Sequence, residues 1–258
     1  MTQTIARPAS APGTATAAGQ VALRALRKYI RTPGLSIMAV VQSALFLFSF
    51  RYVFGGAIQV GASSYVDYLV PAYVATIVLF TGGGIAVEVA QDRAQGFTDR
   101  LLSLPVSRYS LVLGRTVADS TTNSWSILTT AAFGFLFGFR LQGSLLDGLA
   151  AFALCLVYAV VFTVVFIVMG LYAPTAQAAQ GMSLIAFPFA FISSAYVPAA
   201  SMPGWLQPFS KYQPITPMVD AVRSLLVGGT SDLGLAIAWS ALLIAVFSPI
   251  AVLRYRRA

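Results

Sequence analysis

Long intervals without a charged residue limit how this chain can fold more than any other feature of its sequence. Residues 33–50, 68–87, 120–139 and 233–253 contain no Asp, Glu, Lys or Arg. A helix needs about 20 consecutive apolar residues to cross the hydrocarbon core of a bilayer. The sequence therefore predicts a membrane span in each of these four intervals.

A longer charge-free interval, residues 148–210, exceeds the length of a single crossing. Small and polar residues together with Pro174 interrupt it at 173–181, which predicts two spans at 149–172 and 178–197. Apolar residues make up 58% of the chain, against roughly half in soluble domains. Because the runs are continuous and do not alternate, they indicate helices and not barrel strands. The predicted fold is an all-α integral membrane protein with six transmembrane helices.

The basic residues predict the orientation of these spans. If the N-terminus is cytoplasmic, the outer side holds only four of the 16 basic residues, namely Arg51, Arg140, Lys211 and Arg223. The positive-inside rule then places both termini in the cytoplasm, and the expected location is a bacterial inner membrane. Membrane orientation also explains the net charge of +8, so nucleic acid is not an expected partner.

The first 32 residues contain no predicted span. Residues 1–19 are rich in Ala, Thr, Pro, Ser and Gly, which predicts a flexible cytoplasmic tail ahead of one membrane domain at 20–258. From residue 20 apolar residues alternate with basic ones, as in a helix that lies on the membrane surface. Its basic side chains, which attract anionic lipid headgroups, are Arg24, Arg27, Lys28 and Arg31. The alternative is a plain basic flank of the first span.

The residue types available argue against an enzyme. The chain has no His and one Cys, Cys155, so His-based catalysis, His metal ligation and an intramolecular disulfide are excluded. The phosphate-binding motif G-x-x-x-x-G-K-[ST] does not occur around Lys28 or Lys211, the two lysines. We therefore expect no catalytic site, metal or cofactor in this chain, and any nucleotide is expected to bind a partner.

Many of the charges gather at residues 91–108, between the second and third predicted spans. On a helix, Glu88, Asp92, Gln95 and Asp99 would form one stripe, and Phe97, Leu101 and Leu104 another. Pro105 disfavours helix at the residue before it. The pattern predicts a short, bent, amphipathic cytoplasmic element, with a solvated loop as the alternative.

Three charges near the ends of these two spans, those of Glu88, Arg115 and Asp119, are costly if they face lipid. Arg115 and Asp119 are four residues apart and can pair on one helix. Alternatively, Glu88 or Asp119 contacts Arg115 across helices and conveys the position of the cytoplasmic segment to the spans.

Two segments resemble a known family. Residues 91–108 contain Asp92-Arg93, then Gly96, then a run from Asp99 through Leu101 to Pro105-Val106-Ser107. This order resembles the cytoplasmic motif of ABC-2 type permeases.

Residues 196–226 resemble the outer segment of the same family, particularly its daunorubicin-resistance type drug-export permeases. In that segment a Pro and Trp205 precede N-P-x-T and D-A-x-R, the latter here running from Asp220 to Arg223. Gln213 stands where the family has Asn. Prolines interrupt the segment, which predicts short re-entrant or interfacial helices before the last span.

The resemblance implies a half-size permease that pairs with a second copy or a homologous permease. A separate dimer of ABC ATPase subunits, which binds ATP and Mg, would drive it. The basic helix would be the family's elbow helix, and the segment between spans two and three its coupling helix. The residues expected to contact the ATPase are Asp92, Arg93, Gly96, Phe97, Asp99, Arg100, Leu101 and Leu104.

Substrate would pass between the two copies by alternating access. The candidate lining residues are polar or aromatic residues within spans, namely Gln42, Tyr73, Thr76, Asn123, Trp125, Phe187, Phe189 and Phe191. The phenylalanines favour a hydrophobic or amphipathic drug, antibiotic or lipid-like compound. A polysaccharide or glycolipid exporter is the alternative within the family. An ion-gradient carrier would need acids in the middle of spans, whereas these acids lie near span ends.

Overall fold

The computed structural model describes residues 33–56, 58, 64–96 and 108–254, and every regular element in these ranges is helical. The prediction of an all-α fold is confirmed. The predicted tail at 1–19 lies outside the described residues, and so do the basic residues of the predicted elbow helix, Arg24, Arg27, Lys28 and Arg31.

The described residues form nine α-helices along the chain. They are α1 (Pro33–Ser49), α2 (Tyr65–Ala94), α3 (Arg108–Leu136), α4 (Leu145–Tyr172), α5 (Ala176–Ser183), α6 (Ala186–Ile192), α7 (Gln207–Tyr212), α8 (Ile215–Val227) and α9 (Leu233–Arg254). A π-helical turn, Phe50–Phe54, continues α1, and a 3-10 turn, Ala199–Ser201, precedes α7.

Three of the described helices are long and apolar enough to cross a membrane, namely α2, α4 and α9. They contain the second, fourth and sixth predicted spans. The helix at the first predicted span, α1, has 17 residues. The helix at the third, α3, begins before the charge-free interval and includes Arg115 and Asp119.

The fifth predicted span, 178–197, is divided in the structure. The chain forms α5, then a break at Leu184 and Ile185, then α6, which ends at Ile192. Pro188 accounts for the break, because it has no N–H to bond the carbonyl four residues earlier, at Leu184. The ring is tolerated in the first turn of a new helix, where no intrahelical N–H bond is required.

Helix α2 is the centre of the molecule. It packs against α3, α4, α5 and α8, and 78% of its apolar stretch is buried, against 22% for α9. Ser64 caps its N-terminus by accepting a hydrogen bond from the Val66 N–H. The N-terminus of α4 has a reciprocal cap, in which the Ser144 side chain accepts from the Asp147 N–H and Asp147 accepts from the Ser144 N–H.

Glycines let α2 and its neighbours approach closely. A Cβ on Gly82 would lie 2.0 Å from the ring of Phe166 in α4, and a Cβ on Gly170 would lie 2.5 Å from the Ala86 carbonyl oxygen. Small residues at such crossings permit the close packing that holds helices together in lipid. The α2–α4 contact therefore depends on glycine on both helices.

Helix α2 ends ten residues before Leu104. Its last residue is Ala94, and Gly96 follows with φ +64°, a left-handed conformation that glycine adopts without steric cost. The prediction of one helix carrying both Glu88 and Asp99 is therefore wrong. The expected ATPase-contacting residues Phe97, Asp99, Arg100, Leu101 and Leu104 lie outside the described residues.

The segment before α9 contains short helices in place of one continuous helix, which confirms that part of the prediction. Pro208 lies in the first turn of α7, and Pro214 precedes α8. Both positions suit proline, since the first turn of a helix has N–H groups without an intrahelical acceptor.

The helix crossing leads to a stability prediction. Replacing Gly170 with Ala should lower the free energy of unfolding by about 1–3 kcal/mol, the usual cost of overpacking, because the group it meets is a backbone carbonyl that cannot rotate away. A Cβ on Gly181 of α5 would meet no atom within 4 Å, so Gly181→Ala is the matched control and should not destabilise. Thermal unfolding in detergent compares the two, and equal stability would contradict the assignment.

Candidate functional site

The charged side chains at the end of α2 converge on one arginine of α3. The Arg115 Nη2 atom lies 2.9 Å from Glu88 Oε2, and Nη1 lies 2.7 Å from Asp92 Oδ2. The Arg115 Nε atom lies 3.9 Å from Asp119 Oδ2, a charge contact longer than a hydrogen bond. We call these four residues the Arg115 cluster.

The geometry of the Arg115 cluster follows from helical spacing. Glu88 and Asp92 are one turn apart on α2 and present both carboxylates to α3. The planar guanidinium of Arg115 bonds both at once through separate nitrogens. The Arg115 side chain is 18% exposed and that of Glu88 is 56% exposed, so the inner contacts hold the two helices more firmly than the Glu88 contact.

The structure brings together Glu88, Arg115 and Asp119, the three charges that the sequence grouped. It adds Asp92, which the sequence assigned to the ATPase surface and which bonds Arg115 within the same chain. Its spacing of four residues from Glu88 was the available signal. Among residues 33–56, 64–96 and 108–254, no group of three or more Asp, Glu, His or Cys is arranged to hold a metal ion.

Arg93, the neighbour of Asp92, reaches a different helix. Its Nη1 donates to the Leu171 carbonyl oxygen at 2.8 Å. That carbonyl lies in the last turn of α4, where backbone acceptors have no intrahelical donor and where positive charge is favoured. Arg254, the last residue of α9, stacks over the ring of Tyr172 at 4.9 Å. The ends of α2, α4 and α9 therefore meet near the Arg115 cluster.

Gly96 completes this end of α2. Among the described residues, no atom lies within 4 Å of where a Cβ on Gly96 would be.

At the opposite end of α2, Arg223 of α8 forms a second network. Its Nη1 bonds Asp220 Oδ1 at 2.6 Å, and its Nη2 donates to the Ser194 carbonyl oxygen at 3.0 Å. The guanidinium also lies 3.8 Å from the ring centre of Tyr68 in α2, a cation–π distance. Burial raises the pKa of the Asp220 carboxyl, and Arg223 and Ser194 oppose that shift.

Trp205, the third residue predicted in this segment, stands apart from the Arg223 network. Its side chain is 79% exposed, as expected of an aromatic residue at a membrane surface. Gln213, which replaces the family's Asn, donates from Nε2 to the Phe189 carbonyl oxygen at 3.0 Å.

The candidate lining residues divide into two groups. Tyr73, Thr76 and Asn123 are buried inside the chain, where the Asn123 oxygen accepts a hydrogen bond from Thr81 at 2.6 Å. The others lie on exposed faces, namely Gln42, Trp125, Phe187, Phe189 and Phe191. Within one copy, the buried group contacts only other parts of the protein, whereas the exposed group is available to lipid, substrate or a second copy.

An aromatic cluster escaped the sequence-based analysis. Phe46 of α1 stacks on Tyr73 at 4.2 Å between ring centres, and Phe46, Phe50 and Phe191 surround the ring of Tyr196 at 5.2–5.3 Å. The spacing of Phe46 and Phe50, four residues apart, was the available signal, but contact with Tyr196 depends on the tertiary fold.

Comparison with known proteins identifies the family. Residues 17–227 match the family model described as ABC-2 type transporter. The chain is 29% identical over 236 residues to the daunorubicin resistance ABC transporter permease protein DrrB1 of Streptomyces coeruleorubidus, an alignment that covers 90% of this chain and 83% of that protein.

A second relative is the probable doxorubicin resistance ABC transporter permease protein DrrC of Mycobacterium tuberculosis, at 27% identity over 239 residues, 91% of this chain and 86% of that protein. The putative transport permease ycf38 of Cyanophora paradoxa is 25% identical over 201 residues, 76% of this chain and 69% of that protein. The expected resemblance is confirmed, and it implies an ABC ATPase partner. The chain belongs to the ABC-2 type transporter family, as a transporter permease and not a catalytic enzyme.

Proposed function

We propose that this chain is the membrane subunit of an ATP-driven exporter of a hydrophobic or amphipathic drug, antibiotic or lipid-like compound. The observation that supports this most is the family match over residues 17–227, together with similarity to permeases named for daunorubicin and doxorubicin resistance. ATP and Mg bind the separate ATPase subunits, and this chain supplies the pathway by alternating access from the cytoplasm or the inner leaflet.

In this proposal the chain crosses a bacterial inner membrane six times, with both termini in the cytoplasm. Helix α1 continues without interruption into the turn Phe50–Phe54, and at about 1.5 Å per residue this is enough for one crossing. In α3 several Ser and Thr hydroxyls donate to carbonyls of their own helix, as Ser120 does to Thr116 at 2.7 Å, which lowers their cost in lipid. Helices α5 and α6 together form the fifth crossing.

The Arg115 cluster is the first link between the ATPase and the spans. The ATPase contacts the residues that follow Gly96, while Asp92 and Glu88, one and two turns back from that point, are bonded to Arg115 of α3. A displacement of the cytoplasmic segment therefore moves the ends of α2 and α3 together. Asp92, one of the residues expected to contact the ATPase, instead transmits the movement through its bond to Arg115 of the same chain.

Arg93 is the second link. Its bond to the Leu171 carbonyl oxygen joins the same turn of α2 to the end of α4. Because Asp92 and Arg93 are adjacent but bond different helices, one movement of this turn acts on α3 and α4 at once.

Substrate passes between two copies in this proposal. Helix α6 is short and lies between a break and an irregular turn, and it carries the exposed side chains Phe187, Phe189 and Phe191. A helix this short can shift without moving a full span. These exposed rings, with Trp125 of α3 and Gln42 of α1 as further candidate lining residues, suit an amphipathic cargo.

The proposed function has a direct test. The chain and its ABC ATPase partner are reconstituted in vesicles with the ATPase on the outside, and uptake of doxorubicin is followed by fluorescence quenching. Uptake should require ATP and both subunits. Uptake that persists without ATP and stops when the ion gradient is collapsed would contradict the proposal and favour the carrier.

A charge exchange tests the Arg115 cluster. Arg115→Gln leaves three carboxylates without their shared cation, and export per ATP hydrolysed should fall by about 5-fold or more, the scale of typical coupling free energies. The double variant Asp92→Arg, Arg115→Asp restores one cross-helix pair and should recover part of the loss. The measurement is export and ATP hydrolysis on the same vesicles.

Arg140→Gln is the matched control, because Arg140 bonds the Phe135 carbonyl in the last turn of α3 and the carbonyl of its neighbour Phe139. An unchanged ratio of export to hydrolysis in Arg115→Gln, with normal assembly, would remove the coupling role of the cluster.

A further inference from the structure

The turn at residues 193–196, which follows α6, is buried without being helical. Ser193, Ser194, Ala195 and Tyr196 are all buried. Inside a membrane protein, irregular backbone must find hydrogen-bond partners in the protein or in a water-filled cavity. The Ser193 N–H donates to the Ala190 carbonyl oxygen of α6 at 3.3 Å, whereas the backbone of Ser194, Ala195 and Tyr196 bonds side chains.

Helices α2 and α8 supply most of these side chains. Tyr68 donates to the Ser194 carbonyl oxygen, and Tyr65 donates to that of Tyr196 at 3.2 Å. The Ser194 N–H donates to Thr216 Oγ1 at 3.0 Å. The turn can therefore leave its position by exchanging side-chain bonds, without opening a helix.

Arg223 is the strongest of these contacts. Its guanidinium donates to the Ser194 carbonyl oxygen at 3.0 Å and approaches that of Ala195 at 3.4 Å. Asp220 fixes the guanidinium from one side and also accepts from the Ser194 hydroxyl at 2.9 Å. Charge-assisted hydrogen bonds are roughly twice as strong as neutral ones, so Arg223 contributes most to seating the turn.

The seated turn places Tyr196 in a slot of aromatic rings. Its side chain is 0% exposed and lies among Phe46, Phe50 and Phe191. At the inner end of the slot its hydroxyl lies 2.7 Å from Thr76 Oγ1. The slot therefore accepts a flat ring and offers it one polar partner.

The direction of that hydrogen bond defines the preferred ring. The Thr76 hydroxyl has a single proton, and it donates to the Ala72 carbonyl oxygen at 2.9 Å, an atom that can only accept. Thr76 is then the acceptor for Tyr196. A ring that replaces Tyr196 must bring its own O–H donor, or Thr76 loses a buried hydrogen bond.

We propose that this slot binds an aromatic hydroxyl compound. Tyr196 fills the slot when the compound is absent, and Arg223 is the positioning residue that keeps Tyr196 there. One wall of the slot, Phe191, is 44% exposed and shares a face of α6 with Phe187, four residues earlier, so cargo reaches the slot from that exposed face. The inference rests on the proposed function, since it names the cargo class of the same pathway.

The test measures binding of 2-naphthol and of 2-methoxynaphthalene, which lacks the O–H donor, to the full-length chain in nanodiscs, with empty nanodiscs subtracted. Arg223→Gln frees the turn while keeping Tyr196. It should bind 2-naphthol about tenfold more tightly than the unmodified chain, because the competent state is no longer a minor population. Adding Thr76→Val should abolish the preference for 2-naphthol over the methyl ether.

Lys211→Gln is the matched control, since Lys211 is a cation of the same segment that contacts the ring of Tyr212. Affinity in Arg223→Gln equal to that of Lys211→Gln, or equal affinity for the two probes, would overturn the proposal.

If Arg223→Gln does not fold, Tyr196→Ala opens the slot directly. This variant should bind 2-naphthol more tightly than the unmodified chain, and adding Thr76→Val should remove that gain. Binding requires neither ATP nor the ATPase, so this result is independent of the export assay.

Discussion

The absence of hydrogen-bond partners in hydrocarbon is the constraint on which this structure depends. Helices satisfy it internally, and most of the described residues in the long apolar intervals are helical. The turn at 193–196 satisfies it in another way, through side chains of α2 and α8. Backbone held by side chains can be released at lower cost than a helix can be unwound, because no ladder of i to i−4 bonds must break.

The sequence predicted those helices whose apolar character is local. Intervals without charge located α2, α4 and α9, because length and hydropathy alone decide whether a helix suits a bilayer. Hydropathy located the fifth interval but not its division into α5 and α6, because it does not register the missing N–H of Pro188. The end of α2 at Ala94 was missed for a similar reason, since Gly96 acts through backbone conformation.

Within the candidate sites, the sequence likewise predicted contacts along one helix but not contacts between helices. The pairs Arg115 with Asp119 and Asp220 with Arg223 follow from spacing along one helix. The bond from Asp92 to Arg115 requires the placement of α2 against α3, and the bond from Arg93 to the Leu171 carbonyl requires that of α2 against α4, to which the glycine contacts at the α2–α4 crossing contribute. No pattern in the sequence specified that Tyr196 would fill a ring of phenylalanines.

Helix α2 connects the two networks. Its last turns carry Asp92 and Arg93, and its first turn carries Tyr65 and Tyr68, which bond the turn at 193–196. The helix is about 45 Å long at 1.5 Å per residue, and burial along most of its apolar stretch supports it throughout, including at Gly82. Under the proposed function, a movement imposed on its cytoplasmic end would be transmitted along a rigid element to the residues that seat Tyr196. A continuous packed helix whose ends bond different movable parts is the physical connection that such coupling requires.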